Sequence, residues 1–370
     1  MRHAVVVLMT AAVVAVSCST SGPISSTGSP SKTIDIKRSK LDLAYSGFVD
    51  DDVHHVTSKK ALEAAFAGVK AAVRSAGGKD DVAIPEFQDV DQPQTTDFTK
   101  FAAAVSELAG RAQVSSDRIA DAAIVGMMSA SPDCHTFYVT AAGNVAHSLE
   151  FIPKGTDAIV PTQGTSLGGP DEAGLTGKML PGGIAYITFH AWVNNGTYHL
   201  NDTFRAILEK ARAAGAKAWL IDLRGNLGGF PVDLSSLFLN GEATQVQTVK
   251  TGNAGTKTAN KDLRLPEAFQ LPMVIVANDR TASGSEHFII DLREGKRATV
   301  VGQKTTGCAG TADEFQMPGG GLMSVVVGEI VGAATGFHYN NVGVPPDVQA
   351  DDATAVAKAI EILQQKIAGG

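Results

Sequence analysis

The sequence has few cysteines, no long run of basic residues and only one extended apolar stretch. Its 370 residues include three cysteines and carry a formal net charge of −7. Without clustered Lys or Arg the chain lacks the positive surface that nucleic acids require, so we expect no nucleic-acid binding. Beyond the amino terminus, no apolar stretch approaches the roughly 20 residues of a membrane-spanning helix, which predicts a soluble body.

The apolar stretch at the amino terminus resembles a secretory signal peptide. It covers residues 4–16, follows a short basic start and ends just before Cys18. This layout is similar to that of bacterial lipoproteins, in which the cysteine thiol receives diacylglycerol. We predict a signal peptide over 1–17, a flexible tether over 18–44 and a lipid anchor on Cys18 that holds the protein at an extracytoplasmic membrane surface. The alternative is a plain secreted protein that is cleaved nearby.

Residues 45–130 predict a small helical unit. Apolar side chains recur at helical spacing in three segments, near residues 62–73, 98–108 and 119–127. Such amphipathic helices need partners for their apolar faces.

From residue 184 the chain alternates short β-rich runs with helices, which is typical of an α/β layer architecture. The strongest predicted elements are strands over 184–189, 219–223, 273–277, 298–302 and 323–327 and helices over 201–214 and 353–367.

Two turns in this region carry candidate chemistry. Ser283 follows one predicted strand and opens a helix, where partial positive charge stabilises an incipient alkoxide. By itself this pattern is more typical of a helix cap than of a nucleophile. A second turn, Asp-Leu-Arg-Gly-Asn-Leu-Gly-Gly at 222–229, follows another strand, and its glycines let backbone N–H groups converge as an oxyanion hole requires. The two turns together indicate a serine nucleophile, with Ser285 as the structural alternative.

The order of these turns, followed by Thr-Thr-Gly at 305–307 and Gly-Val-Pro-Pro-Asp at 343–347, resembles the S41 family of serine peptidases, which includes the tail-specific and tricorn peptidases. The Asp-Cys-His-Thr segment at 133–136 extends the resemblance. It implies a ClpP/crotonase-like core over 184–370, with Ser283 as nucleophile and with Gly284 and Gly228 or Gly229 as oxyanion donors.

The resemblance also points to the general base. Where tail-specific peptidases carry a dyad lysine, this chain has Cys308, and Lys304 is out of phase. The tricorn branch uses a histidine from the Asp-x-His segment, which implies His135 here; His287 is a weaker candidate. At the position of the tricorn glutamate stands Asn340, which we expect to orient His135 unless another group does so.

The two remaining cysteines, Cys134 and Cys308, both fall in segments that the resemblance places at the active site. We predict a disulfide between them; the alternative is two unrelated core thiols. No second Cys or His lies at ligand spacing near either one, so we expect no metal and no cofactor. Between the helical unit and the core, residues 131–183 are too few for a PDZ domain and predict a bridging segment.

These observations predict an extracytoplasmic serine peptidase that acts on peptide or protein substrates. Interphotoreceptor retinoid-binding proteins resemble the same modules, so a catalytically inactive lipoprotein that binds an apolar ligand or a peptide is the alternative. Keeping Ser283, His135 and the glycine turn together favours the enzyme. A crotonase-like acyl-CoA enzyme gains no support, because fold kinship does not set function. The sequence does not determine the oligomeric state.

Overall fold

The computed structural model of the protein describes residues 39–111, 114–146, 156–229 and 233–369. Within these ranges the helices are α1 (Lys40–Asp51), α2 (Ser58–Ser75), α3 (Thr95–Ala109), α4 (Ser116–Met128), α5 (Leu200–Ala213), α6 (Gly284–Glu294) and α7 (Ala355–Gly369). The strands are β1 (Phe137–Val139), β2 (Val145–Ala146), β3 (Thr165–Gly168), β4 (Thr176–Leu180), β5 (Ile184–Thr188), β6 (Ala218–Asp222), β7 (Ala243–Val249), β8 (Gly252–Thr258), β9 (Met273–Ala277), β10 (Thr299–Gly302), β11 (Thr311–Gln316), β12 (Leu322–Gly332) and β13 (Val348–Gln349). The fold is mixed α/β with helices at its amino-terminal end, as predicted.

Helices α1 to α4 form the helical unit. In α2 the buried residues Leu62, Phe66 and Val69 follow the predicted helical spacing, and the side chain of Thr57 caps the helix by accepting the N–H of Lys60. Helix α2 packs directly on α4. The two backbones are so close at Gly68 that a side chain there would come within 2.2 Å of the backbone of α4. Close contact of this kind buries the apolar faces that the sequence left without partners.

The first helix differs from the prediction. Helix α1 begins at Lys40, capped by Ser39, and so lies partly inside the segment assigned to a flexible tether over 18–44. Its buried side chains include Tyr45 and Phe48, which gain enough apolar contact with the other helices to fix the chain there. The predicted signal peptide and Cys18 lie outside the described residues.

A seven-stranded sheet forms the centre of the core, in the order β13-β10-β9-β6-β5-β4-β3. Strands β5, β6, β9 and β10 are parallel, and β5, β6 and β9 are fully buried because helices cover both faces. Helices α5 and α6 pack on one face and α7 on the other. Strands β3 and β4 extend this sheet as antiparallel neighbours of β5, so part of the segment assigned to a bridge belongs to the core sheet.

A second sheet of six strands joins the core to the helical unit. Its long central strand β12 pairs with β1, β7 and β11, and the buried side chains of Tyr138, Met323 and Val325 pack among the helices α1 to α4. Because β1 pairs with β12, the residues just before β1 are held next to this sheet. Across the described ranges, no helix is long and apolar enough to cross a membrane.

Candidate active site

Ser283 lies at the carboxyl end of β9, in the turn that leads into α6. Its backbone has φ +53° and ψ −121°, a left-handed conformation that non-glycine residues rarely adopt. Strain of this kind persists only where the surrounding structure holds it and is concentrated at functional sites. Here it presents the hydroxyl of Ser283 at the amino terminus of α6, where the helix dipole favours negative charge.

The side chain of Glu286 fixes the turn that contains Ser283. Its fully buried carboxylate accepts the N–H of Ser283 at 3.0 Å, the N–H of Gly307 at 2.8 Å and the hydroxyl of Thr305. Burial raises the pKa of Glu286 to about 7, although these hydrogen bonds favour the ionised form. The nucleophile turn and the loop after β10 are therefore joined through one carboxylate that the sequence reasoning did not single out. The Ser-x-x-Glu spacing of a capping box was the signal for it.

The glycine turn after β6 lies directly against Ser283. A side chain at Gly228 would come within 2.6 Å of the serine Cβ, and one at Gly284 would meet the carbonyl oxygen of Gly229 at 2.8 Å, so only glycine fits at these points. The N–H of Gly284 opens α6 and has no acceptor within the helix. The N–H of Gly228 already donates to the side chain of Asn226 at 3.0 Å, so an oxyanion would compete for it.

His135 reaches the serine from the loop between α4 and β1. Its Nε2 lies 3.2 Å from Ser283 Oγ, a hydrogen-bonding distance. The backbone of this loop is fixed to β12, because the hydroxyl of Ser324 donates to the carbonyl of His135 at 2.7 Å and the hydroxyl of Thr136 accepts the N–H of Val326. The structure thus brings together the serine and the histidine that the sequence predicted.

The group that faces the other side of the imidazole is Asp133. Its Oδ1 accepts the N–H of His135 at 2.8 Å and lies 3.4 Å from His135 Nδ1. Burial opposes ionisation of Asp133, but the hydrogen bonds from His135 and His54 outweigh it and hold the pKa of its carboxyl far below its usual range. A carboxylate at Nδ1 places the ring proton there and leaves Nε2 free to accept the serine proton.

Asn340 lies in this cluster but not in the predicted contact. Its Nδ2 donates to Asp133 Oδ2 at 2.7 Å, and its hydrogen bond therefore goes to the carboxylate rather than to His135. The reason is that Asp133, two residues before His135, occupies the space beside the imidazole. Asn340 is buried and positions the aspartate, while the aspartate faces the histidine.

His54 is a further member that the sequence reasoning missed. It follows α1, and its Nε2 lies 3.4 Å from Asp133 Oδ2. The two residues are 79 positions apart, and no local pattern marks the first of them. Only the packing of the helical unit on the second sheet brings them together.

A disulfide joins the base loop to the loop after β10. Cys134 and Cys308 are bonded, as predicted, across a sequence separation of 174 residues. Cys134 precedes His135, and Cys308 follows Gly307, whose N–H donates to Glu286. The bridge therefore joins the loop of His135 to the loop that Glu286 connects to the serine turn. Asp133, Cys134 and His135 offer ligand atoms within 4.8 Å of one another, but the bridge occupies the sulfur. This set therefore does not suit a metal ion.

The alternative candidates have other contacts. Ser285 is fully buried and its hydroxyl accepts the indole N–H of Trp192 at 2.8 Å, so it is not available as a nucleophile. His287 lies one helical turn after Ser283, and its Nδ1 is 2.9 Å from the side-chain oxygen of Gln245. Burial and the nearby ammonium of Lys257 lower the pKa of His287 to about 4, which keeps its ring neutral.

A serine held at a helix terminus, an imidazole at its hydroxyl and a carboxylate behind the imidazole form the arrangement that serine hydrolases use. The family comparison makes the class more specific. The model of peptidase family S41 matches residues 183–350, so this part of the chain is similar to the S41 peptidases.

Curated relatives are similar to this chain over part of their length. A carboxyl-terminal-processing protease of Synechocystis is 30% identical over 216 residues, which is 55% of this chain and 47% of that protein. The carboxy-terminal processing protease CtpA of Bacillus subtilis is 25% identical over 178 residues, which is 47% of this chain and 36% of that protein. The chain thus matches less than half the length of each of these two relatives.

Solved structures share the fold. A putative peptidase from Parabacteroides merdae superposes with a TM-score of 0.52 at 16% identity, covering 70% of this chain and 88% of that one. A lipoprotein from Streptococcus agalactiae superposes with a TM-score of 0.50 at 13% identity, covering 81% of this chain and 96% of that one. The chain therefore shares its overall α/β fold with these two proteins.

Proposed function

We propose that this protein is a serine peptidase that hydrolyses peptide bonds by acyl transfer through Ser283, with His135 as general base. The observation that carries the proposal is the 3.2 Å distance between His135 Nε2 and Ser283 Oγ, with Asp133 on the far side of the ring. This is the mutual geometry that an activated nucleophile requires. The match of residues 183–350 to peptidase family S41 supports the same reaction class.

In the proposed first step, Ser283 Oγ attacks the carbonyl carbon of the scissile peptide bond while its proton moves to His135 Nε2. The carbonyl oxygen becomes an oxyanion that faces the N–H groups of Gly284 and Gly229, with that of Gly228 able to exchange its bond to Asn226. The carboxylate of Asp133 stabilises the imidazolium.

The tetrahedral intermediate then collapses, and His135 gives its proton to the leaving amine. The peptide bond is broken, and the carboxyl-side half of the substrate departs while the other half remains as an ester on Ser283. A water molecule, deprotonated by His135, attacks the carbonyl carbon of that ester. The second tetrahedral intermediate collapses as its bond to Ser283 Oγ breaks, His135 returns the proton to Oγ, and the amino-side half of the substrate leaves as a carboxylic acid. Each proton removed is given back, so the cycle needs no cofactor.

The test is the reaction of purified protein with a fluorophosphonate probe between pH 5 and 9, together with cleavage of a peptide library. We expect labelling and cleavage in the wild type and loss of both in Ser283→Ala and His135→Ala, with Ser285→Ala as the matched serine control for labelling. Labelling that survives Ser283→Ala would refute the assignment. A wild type that neither labels nor cleaves under any condition would favour the non-catalytic carrier of apolar ligands or peptides.

We also propose that the protein is extracytoplasmic and anchored through a lipid on Cys18. The signal-like stretch before Cys18 supports this, and so does the Cys134–Cys308 disulfide, because such bridges persist in oxidising compartments. Metabolic labelling with an alkyne fatty acid should mark the wild type in the membrane fraction, and Cys18→Ser should abolish the mark. Equal labelling of both would contradict the anchor.

A further inference from the structure

His54 connects the helical unit to the catalytic carboxylate. It lies in the turn after α1, where the N–H of Val53 donates to the carbonyl of Val326 on β12 and fixes the turn against the second sheet. The side chain is 14% exposed, and its Nε2 is 3.4 Å from Asp133 Oδ2. His54 therefore approaches the oxygen of Asp133 that does not face His135.

Negative charge surrounds this imidazole. Asp52 lies on the same turn and accepts the backbone N–H of His54 at 2.9 Å, Asp133 faces Nε2, and Glu329 on β12 has an oxygen 3.5 Å from Nδ1. The other neighbours are the side-chain nitrogen Nδ2 of Asn341, 3.2 Å from Nε2, and His338, whose Nδ1 lies 3.6 Å from the second oxygen of Glu329.

This environment favours the protonated ring. Burial alone would lower the pKa of His54, but the hydrogen bond to Asp133 and the carboxylates of Asp52 and Glu329 together raise it above its ordinary value. A cation at this position also stabilises Asp133. That side chain is fully buried, and an ionised carboxylate away from water requires compensating charge or hydrogen bonds.

We infer that His54 is a positioning residue of the active site: it binds the outer oxygen of Asp133, directs the inner oxygen toward His135 and, when protonated, offsets the attraction of Asp133 for the proton on His135. The inference rests on the proposed function. The charge of Asp133 stabilises a protonated imidazole at position 135, whereas the ring can accept the serine proton only in its neutral form. A second imidazole on the same carboxylate lets His135 remain neutral at a lower pH.

The test compares two substitutions of His54. In His54→Gln a side-chain amide can still donate to Asp133, but the charge is lost; in His54→Leu both are lost. The readout is the NMR titration of the His135 ring, assigned with His135→Gln, which does not depend on turnover. We expect the midpoint pH of the His135 ring to rise by about 0.5 to 1 unit in both variants, since each loses one nearby positive charge.

Activity gives the second readout. The acid limb of fluorophosphonate labelling should move to higher pH in both variants by the same amount, while the rate on the plateau should fall about 10-fold in His54→Leu and less than about 3-fold in His54→Gln. Rescue of the plateau by glutamine separates the hydrogen bond from the charge.

His55→Asn is the matched control. His55 is the next residue, is 55% exposed and pairs with the surface residue Asp91 at 2.8 Å, and its φ of +55° is one that asparagine tolerates. We expect no shift in this variant. Thermal unfolding checks that all three variants fold.

Three outcomes are distinct. A His135 midpoint in His54→Gln that stays within about 0.2 pH unit of the wild type, or moves no more than in His55→Asn, overturns the inference. If the His135 midpoint differs between the variant and the wild type but neither protein reacts with the probe, the role of His54 is supported and the peptidase is refuted. A shift in both readouts supports both.

Discussion

The two halves of the site are built in different ways. The nucleophile half consists of Ser283, Gly284 and Glu286 with the glycine turn, all at the carboxyl ends of the neighbouring parallel strands β6 and β9. The base half is Asp133 and His135 with His54 and Asn340, which come from the turn after α1, the loop before β1 and the loop after β12. One half is set by short stretches of chain and the other by packing between distant ones.

This difference teaches where each property of the site is encoded. Adjacent parallel strands place their following turns at the same edge, so the central sheet by itself positions the nucleophile half. The base half depends on the second sheet and on the helical unit packed against it. The disulfide from Cys134 to Cys308 and the bond from Gly307 to Glu286 join the two halves.

The largest effect should come from breaking the base half at Asp133. Asp133→Asn removes the charge that stabilises the imidazolium and sets an amide against the Nδ2 of Asn340, which now lies 2.7 Å from a carboxylate oxygen. By comparison with the loss of the aspartate in other serine triads, we expect the labelling and cleavage rates to fall roughly 10⁴-fold. Labelling kinetics with the fluorophosphonate probe measure this.

Asp91→Asn is the control for that change, since Asp91 also pairs with a histidine but at the surface. It should leave the rate unchanged. If Asp133→Asn retained a rate within about 3-fold of the wild type, Asp133 would have a structural role only and the comparison between the halves would fail.

A substitution of Glu286 in the nucleophile half should change how the free energy of unfolding depends on pH. The pKa of Glu286 is raised from 4.5 to about 7, chiefly by burial, so the folded protein holds this proton more tightly than the unfolded chain. Its contribution to the free energy of unfolding is complete below pH 4.5 and is lost as the pH rises to about 7. At about 1.4 kcal/mol per pH unit the loss is about 3 kcal/mol, and it should disappear in Glu286→Gln.

Chemical denaturation at several pH values tests this as the difference between wild type and Glu286→Gln, which removes the contributions of other groups. Glu267→Gln is the matched control, because that side chain is 83% exposed and forms only a surface ion pair with Arg264. A difference that does not vary between pH 4.5 and 7 would contradict the assignment to Glu286.

The sequence could predict the nucleophile half because its signals are local. Strands β5, β6 and β9 appear as short apolar runs, glycines mark the turn at 222–229, and Ser283 stands where a helix starts. Each of these follows from residues within a few positions of one another. The resemblance of the same motifs to a known family extended the prediction to His135.

The base half could not be predicted in full because its contacts span the chain. Asp133 and Asn340 are 207 residues apart, and His54 and Asn341 are 287 apart. The sequence marked Asp133 as part of a motif but gave no sign that it would displace Asn340 from the imidazole. Helix α1 and the pairing of the predicted strand at 323–327 into a second sheet were missed for the same reason, since their residues acquire their burial from distant partners.

The smallest expected effect sharpens the role of Asn340, where the tricorn pattern has a glutamate. Asn340→Asp keeps the shape of the side chain but sets a second carboxylate against Asp133, whose Oδ2 now accepts the asparagine N–H at 2.7 Å. Two carboxylates this close share one proton, so Asp133 is less able to stabilise the imidazolium. We expect the rate above pH 7 to fall about 10-fold, and to fall less at pH 5.5, where the pair can take up its proton.

Asn253→Asp makes the same chemical change at an exposed site on β8 and should have no effect. A rate that rises in Asn340→Asp would mean that the new carboxylate reaches His135 itself, and that the aspartate and the asparagine exchange the roles the geometry gives them.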